Sequence, residues 1–342
     1  MIRLGDSLNW RLVLRVVDRR RVLREIETSR QSGASAVGRL QAVGVVVLGI
    51  ACGLVAWLKG WPLALALAMA PPVASSCVIA LELALASMLS RRTRAGPRRW
   101  AQTWWTEWWL NLKVFGWRQP FAWRQLPDTA LGPSDLAPVV FVHGYLCNRG
   151  FWQPWLHRCR AEGRPYVTVN LEPVFASIDA YVDAIGAAVL QAEAATGRRV
   201  FLVGHSMGGL AIRAWLAVQP QLAVQRVMGV VTIGTPHQGT WLARWSRTTN
   251  GQQMRLGSDW LAQLRERERA GLCEPVYARF LCWASATDNV VFPAETATLP
   301  GAENRWVESA GHIELAYLPE VISTSLAWMA SADKSPADRT NS

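Results

Sequence analysis

The feature that most constrains the fold is a stretch in the middle of the chain, Val200-Phe-Leu-Val-Gly-His-Ser-Met-Gly-Gly-Leu210. Its first four residues are apolar and predict a buried strand, while Leu210–Val218 has the spacing of a helix. Between them, Gly204-His-Ser-Met-Gly208 fits G-x-S-x-G, so the pattern predicts a strand, a sharp turn and a helix. Such a turn raises the Ser206 hydroxyl clear of the sheet, as a nucleophile requires. An ordinary glycine-rich turn is the alternative.

Other apolar runs extend this pattern over the second half of the chain. The predicted strands are Val139–Val142, Tyr166–Asn170, Val200–Val203, Val227–Ile233 and Tyr277–Ala284. Helical segments lie between them, and this alternation predicts an α/β fold, with a mostly parallel sheet flanked by helices. The stretch Pro133–Pro138 is a predicted linker, so we expect the α/β domain at residues 133–330. Residues 331–342 are polar and are expected to be disordered.

A nucleophilic serine needs a base within hydrogen-bond reach and a carboxylate that orients the base. When a turn of this kind carries the serine, the acid and then the histidine follow later in the chain. Among the five histidines, this order selects His312 as the base. Asp288 lies just past a predicted strand end and is the expected acid, with Glu295 and Glu308 as alternatives. For each of these three carboxylates, the alternative is a solvated position on a loop.

The same chemistry needs two N–H donors for a developing oxyanion. One donor is expected from Met207, the residue after the serine, and the other from the loop after an early strand. That loop is Val142–Asn148, in which Tyr145 offers the second N–H.

Two long apolar runs dominate the first half of the chain. Ala42–Leu58 carries no charge, and Leu63–Leu89 carries only Glu82 and is interrupted by Pro71-Pro72. A short turn, Lys59–Pro62, joins them. The first run is close to the roughly 20 residues that span a bilayer, and the second run is longer.

These runs predict a helical membrane hairpin at residues 42–90, with transmembrane helices at about 42–60 and 63–89. A pair of buried helices in a soluble domain is the alternative. The two prolines are expected to kink the second helix or to mark its start. The sequence assigns no role to Glu82, the single acid of the second run.

Basic residues flank the hairpin unevenly. Residues 1–40 contain nine arginines against four acids, and Arg91–Arg99 adds five arginines without an acid. Beside apolar runs, this charge favours anionic membrane lipid over nucleic acid as the partner. The turn offers only Lys59, so the positive-inside tendency places the basic segment 1–41 and everything after residue 90 in the cytoplasm.

Tryptophans crowd the next segment, residues 91–132. They are Trp100, Trp104, Trp105, Trp108, Trp109, Trp117 and Trp123. Trp104 shares a helical face with Trp108, and Trp105 shares one with Trp109. We expect an interfacial helix and linker, with the rings either at the membrane surface or packed against the following domain.

An apolar insertion at about residues 240–275 separates two predicted strands. It is either a cap or lid over an acyl pocket or a set of ordinarily packed helices. The six cysteines have neither zinc-site nor C-x-x-C spacing. We therefore expect no metal and no cofactor.

From Pro138 to about Met329 the chain resembles the small bacterial triacylglycerol lipases and esterases of the α/β-hydrolase superfamily. The matching motifs are VHGY at 142–145, GHSMGG at 204–209, GTPHQGT at 234–240, the loop around Asp288 and GHIELAY at 311–317. The resemblance implies a triad of Ser206, Asp288 and His312 with backbone donors at Tyr145 and Met207. Calcium sites known in some relatives have no matching ligand motif here.

The function that these observations predict is a membrane-anchored serine hydrolase acting on lipid-like or small carboxylic esters at the bacterial inner membrane. An acyltransferase or thioesterase would use the same triad. A catalytically silent membrane scaffold is the third possibility. The sequence leaves the acyl-chain length and the oligomeric state open.

Overall fold

The computed structural model describes residues 36–91, 95–130, 132–271 and 276–333. Three predicted features lie partly outside the described residues: the basic segment at 1–35, the arginine cluster at Arg92 and Arg94, and the polar tail at 334–342.

The apolar hairpin consists of α1 (Ala36–Lys59) and α2 (Trp61–Leu89). Gly60 turns the chain between them with φ of 93°, a conformation that favours glycine. Both helices are long and apolar enough to cross a membrane, with mean hydropathies of 2.2 and 1.9, and most of their apolar side chains are exposed. Helix α2 continues through Pro71 and Pro72, so the prolines do not mark its start.

The tryptophan-rich segment forms α3 (Pro97–Lys113) and docks on α2. The indole N–H of Trp104 donates to the Ser76 carbonyl at 3.2 Å, and that of Trp108 donates to the Pro72 carbonyl at 2.9 Å. These two rings stack, whereas Trp105 and Trp109 are each 57% exposed. The face with Trp104 and Trp108 therefore packs against the hairpin, and the face with Trp105 and Trp109 is exposed. A π-helical segment, Val114–Ala122, follows.

A six-stranded, fully parallel sheet forms the centre of the second half, in the order β2-β1-β3-β4-β5-β6. The strands are β1 (Val139–Val142), β2 (Tyr166–Val169), β3 (Val200–His205), β4 (Val227–Ile233), β5 (Phe280–Ser285) and β6 (Glu303–Val307). The predicted parallel α/β sheet is confirmed. The predicted fifth strand begins too early, because Val276–Arg279 forms a 3-10 turn.

Helices cover both faces of this sheet. They are α4 (Gln153–Ala161), α5 (Val182–Thr196), α6 (Met207–Val218), α7 (Pro220–Arg226), α8 (Thr249–Gln253), α9 (Asp259–Gly271), α10 (His312–Tyr317) and α11 (Pro319–Asp333). Alternate strand residues point to opposite faces. Val140 and Val142 join the core under α5, α6 and α9, and Val139 and Phe141 join the core under α4, α10 and α11. Burial on both faces explains why these strands read as continuous apolar runs.

The strand register aligns the carboxyl ends of the central strands. Val142 pairs with Gly204, His205 pairs with Ile233, and Ile233 in turn pairs with Trp283. The loops that follow β1, β3, β4 and β5 therefore leave the sheet at one edge, where sites in parallel α/β sheets form.

Candidate active site

Ser206 occupies a strained turn between β3 and α6. Its backbone has φ of 54° and ψ of −129°, a region that residues with a side chain seldom adopt. Its N–H donates to the Ile233 carbonyl at 2.9 Å, which ties the turn to the end of β4. A Cβ on Gly204 would lie 2.7 Å from the Gly209 nitrogen, and a Cβ on Gly208 would overlap the Val142 carbonyl. The turn has the shape that the G-x-S-x-G pattern predicts.

His312 and Asp288 form a buried pair beside this turn. The Nδ1–H of His312 lies 3.0 Å and 3.1 Å from the two carboxylate oxygens of Asp288. Asp288 Oδ1 also accepts hydrogen bonds from the N–H groups of Val290 and Val291, both at 2.8 Å. Hydrogen bonds within its own loop therefore hold the Asp288 carboxylate in place, and this carboxylate in turn orients the His312 imidazole.

Contacts between neighbouring residues bring His312 to the Ser206 turn. The His205 ring lies 4.5 Å from the His312 ring, and its Nε2–H donates to the His312 carbonyl at 3.1 Å. A Cβ on Gly234 would lie 3.1 to 3.2 Å from both Asp288 and His312. Within the described residues, the structure records no hydrogen bond between the Ser206 hydroxyl and His312. Such bonds commonly tighten only in the substrate complex.

The electrostatics distinguish His312 from the other buried histidines. Burial lowers the pKa of His312 most strongly, but the charge and hydrogen bond of Asp288, together with the charges of Glu107 and Glu82, outweigh burial and raise this pKa above its ordinary value. Burial lowers the pKa of His143 to about 4 and holds those of His205 and His237 well below the usual value. Of these four, only His312 is placed to exchange a proton near neutral pH.

The loop after β1 lies directly against the Ser206 turn. A Cβ on Gly144 would lie 2.8 Å from Ser206 Cβ, so this loop and the turn are in close contact. Tyr145 follows Gly144, and its hydroxyl lies 3.2 Å from the hydroxyl of Thr248. Among the described residues, no acceptor is recorded for the N–H groups of Tyr145 and Met207. Their predicted role as donors to an oxyanion stays a prediction.

Three further side chains lie around His312 that the sequence analysis missed or left without a role. Asn289 Oδ1 accepts the His312 backbone N–H at 3.0 Å, and its Nδ2 donates to Glu82 on α2 at 2.7 Å. The buried carboxylate of Glu107 on α3 accepts N–H groups at the start of α10. The only available signal was that each acid is isolated, Glu82 in an apolar run and Glu107 in an Arg/Trp-rich segment.

The insertion after β4 folds over the same edge of the domain. A 3-10 turn, Trp241–Trp245, packs Trp241 against Phe292 on the Asp288 loop, with ring centroids 5.8 Å apart. The Arg244 guanidinium lies over both tryptophan rings at 4.8 Å and 5.5 Å. Trp245 is 60% exposed. The insertion thus places apolar rings beside the site, and its predicted role as a lid stays a prediction.

Within the described ranges, no group of three His, Cys, Asp or Glu side chains is arranged to hold a metal ion.

Residues 139–335 match the model of the alpha/beta hydrolase family. Two curated relatives are triacylglycerol lipases. That of Pseudarthrobacter phenanthrenivorans is 38% identical over 116 residues, covering 31% of this chain and 35% of the relative. That of Burkholderia plantarii is 38% identical over 116 residues, covering 31% of each chain. The matched region spans about a third of the length of these relatives.

Two solved structures share the fold. Lipase BlEst2 of Bacillus licheniformis in its propeptide form superposes with a TM-score of 0.51 at 20% identity, covering 61% of this chain and 53% of that one. Lipase B of Aspergillus fumigatus gives a TM-score of 0.50 at 16% identity, covering 61% and 57%. At these identities the likeness concerns the fold alone.

Proposed function

The chain belongs to the α/β-hydrolase family, and from this premise we propose that it is a membrane-anchored serine hydrolase of carboxylic esters. The observation that carries the proposal is the placement of Ser206, in a strained turn, beside a histidine that Asp288 holds by its Nδ1–H. The proposal is supported by the position of Ser206, Asp288 and His312 in the chain, because each follows the carboxyl end of a strand of the parallel sheet. The two curated lipase relatives support an ester as the substrate class.

The proposed reaction follows from this placement. Ser206 Oγ attacks the ester carbonyl while Nε2 of His312 takes its proton, and Asp288 stabilises the resulting imidazolium. The N–H groups of Tyr145 and Met207 bind the oxyanion of the tetrahedral intermediate, and losing one such donor costs about 3 kcal/mol in the barrier. The alcohol then leaves with the proton from His312. Water, deprotonated by the same imidazole, releases the acid and restores Ser206.

We further propose that the hairpin 42–90 anchors the enzyme in the bacterial inner membrane as a two-pass segment. Its helices are candidate membrane spans by length and composition. The arginines that flank both outer ends favour a cytoplasmic catalytic domain at 133–330, and residues 91–132 connect the two at the membrane surface. Anchoring confines the enzyme to the phase in which a lipid-like ester is concentrated, which favours such a substrate.

The decisive experiment treats the full-length protein, in native membranes and in detergent, with a fluorophosphonate probe. We expect labelling of the wild type and of Ser323→Ala, an exposed serine on α11 that serves as the control. We expect none of Ser206→Ala. Labelling that persists in Ser206→Ala, or that is absent from the wild type, would refute the serine-hydrolase proposal and favour the scaffold.

A second measurement separates the hydrolase from its rivals. Wild type and Ser206→Ala are assayed on short-chain and long-chain esters, phospholipid and acyl-CoA, with and without added acceptor alcohols. Ester hydrolysis that depends on Ser206 is the expected result. Product that forms only when an acceptor is supplied would indicate an acyltransferase, and activity confined to acyl-CoA would indicate a thioesterase.

A further inference from the structure

We propose that Glu107, on the helix that docks against the membrane hairpin, is a positioning residue for His312. Its buried carboxylate fixes the first turn of α10, which begins at His312. Glu107 lies outside the part of the chain that matches the hydrolase family. The inference rests on the proposed function, in which His312 is the general base.

The contact consists of hydrogen bonds from backbone to carboxylate. The Ile313 N–H donates to Glu107 Oε1 at 2.9 Å and lies 3.1 Å from Oε2, and the Glu314 N–H donates to Oε2 at 3.0 Å. The first N–H groups of a helix have no partner within the helix, so an outside acceptor must satisfy them. Glu107 is only 1% exposed, and bonds to a carboxylate are the stronger kind.

The carboxylate of Glu107 also packs closely against Gly311, the residue before His312. A Cβ on Gly311 would overlap the carboxylate of Glu107 and lie 2.8 Å from its Cβ. The backbone of Gly311 has φ of −69°, which any residue adopts, so the neighbouring Glu107 is what requires glycine there. One turn earlier on α3, Thr103 contacts the Ser309 hydroxyl at 2.8 Å. A single face of α3 therefore covers the loop that leads into His312.

The Glu107 contact affects the orientation of the His312 imidazole and does not act on the substrate directly. The other restraints on His312 are Asp288 at Nδ1, Asn289 at the backbone N–H and His205 at the carbonyl. Glu107 adds the restraint on the next two residues. Because Trp104 and Trp108 of the same helix donate their indole N–H groups to α2, α3 contacts both the hairpin and the segment that begins at His312.

The charge of Glu107 also acts on His312. Burial raises the pKa of Glu107 to about 7, and its negative form contributes to the raised pKa of His312. Among the described residues, the titratable groups that face the carboxylate are Asp288 on its loop and His312, Glu314 and Tyr317 on α10. Across Asn289, Glu82 acts on the same histidine from α2. Replacing Glu107 by a neutral residue is therefore expected to lower the pKa of His312.

The test compares Glu107→Gln with Glu308→Gln in the full-length protein. Glu308 carries an exposed carboxylate on the loop that leads into His312 and pairs with Arg99. The Glu308→Gln variant therefore controls for loss of charge. Active Ser206 is counted by burst titration. For Glu107→Gln we expect kcat per active site to fall about tenfold or more with KM nearly unchanged, because misaiming a catalytic group slows chemistry more than binding. The low-pH limb of kcat/KM should move to lower pH.

Hydrogen exchange supplies a readout that does not depend on activity. Amides of residues 311–317 should exchange faster in Glu107→Gln than in the wild type or Glu308→Gln. A lower melting temperature with unchanged kcat per active site and unchanged pH limb would make Glu107 a packing residue and overturn the proposal.

Gly311→Ala tests the same contact without a change of charge. Its methyl group should displace the carboxylate and lower kcat while the variant stays folded, so it decides the question if Glu107→Gln does not fold. Wild-type kcat in Gly311→Ala would overturn the proposal. Failure of the serine-hydrolase function itself is recognised separately, by a wild type that neither labels with fluorophosphonate nor cleaves esters.

Discussion

Glu82, the only charged residue of α2, accepts a hydrogen bond at 2.7 Å from Asn289, the neighbour of Asp288. Asn289 also accepts the backbone N–H of His312. At the end of the same helix, the Ser90 hydroxyl accepts the Ala294 N–H at 3.0 Å. The apolar hairpin is thus hydrogen-bonded to the loop that carries Asp288. These contacts make the hairpin part of the structure around the site rather than a separate tether.

The Glu82–Asn289 bond predicts different outcomes for two substitutions of one residue. Glu82→Gln retains an oxygen that accepts the Asn289 N–H, so ester hydrolysis should stay within about threefold of the wild type. Glu82→Ala removes the acceptor and leaves the buried amide unpaired, so kcat should fall about tenfold. The measurement is kcat per active site, with Ser206 titrated. Equal activities of the two variants would contradict a role for this bond.

The raised pKa of His312 predicts the pH dependence of the wild type. A general base must be neutral, so activity is lost as pH falls through the pKa of His312. Because that pKa lies above the ordinary histidine value, the low-pH limb of kcat/KM should have its midpoint above 6.5. Substituting the control residue His143, whose pKa is about 4, should leave that midpoint unchanged in any variant that folds. A midpoint below 6.5 would argue against the His312–Asp288 assignment.

The close approach of α6 to β1 predicts a strict requirement for glycine at 208. A methyl group there overlaps the Val142 carbonyl, so Gly208→Ala should destabilise the protein by about 2 kcal/mol or more, or prevent folding. Gly116→Ala is the matched control, because a Cβ at that position meets nothing within 4 Å. Thermal unfolding and fluorophosphonate labelling report the effect. A stable, fully labelled Gly208→Ala would show that the turn is looser than described.

The two faces of α3 predict different responses to Trp→Phe substitution. Trp104→Phe and Trp108→Phe lose indole N–H donors to carbonyls of α2, and each should lower the unfolding free energy by about 1 kcal/mol. Trp105→Phe and Trp109→Phe alter exposed rings and should leave stability in detergent unchanged. Thermal unfolding in one detergent compares all four variants. Equal losses on both faces would contradict the docking of α3 on α2.

The proposed topology predicts which cysteines are reachable from outside the cell. In a cysteine-free background, a single cysteine at Gly60, between the two hydrophobic helices, should react with a membrane-impermeant maleimide in intact cells. A cysteine at Ser331, near the end of α11, should react only after lysis. The reverse pattern would place the catalytic domain on the outer side. Labelling of both in intact cells would contradict a two-pass hairpin with both ends in the cytoplasm.

Local features of the sequence determined much of this protein. The turn at Ser206 follows from glycines that leave room for a tight strand-to-helix connection, and the strands follow from apolar runs that a doubly covered sheet requires. The order of serine, acid and histidine along the chain selected Asp288 and His312, which the structure then brings into hydrogen-bond contact. The hairpin could be predicted because long apolar runs with at most one charged residue are visible in the sequence.

Only the tertiary structure decided what supports the site. Glu107 contacts Ile313 and Glu314, which lie 206 and 207 positions later in the chain. Glu82 contacts Asn289, which lies 207 positions later. Such contacts leave no periodicity or motif, because they depend on how α2 and α3 dock on the sheet edge. The start of β5 was also misplaced, because Tyr277 and Ala278 continue the apolar run of the strand in the sequence although they lie in a 3-10 turn. Local propensity fixes the elements, whereas the packing between them fixes which buried carboxylate meets which backbone amide.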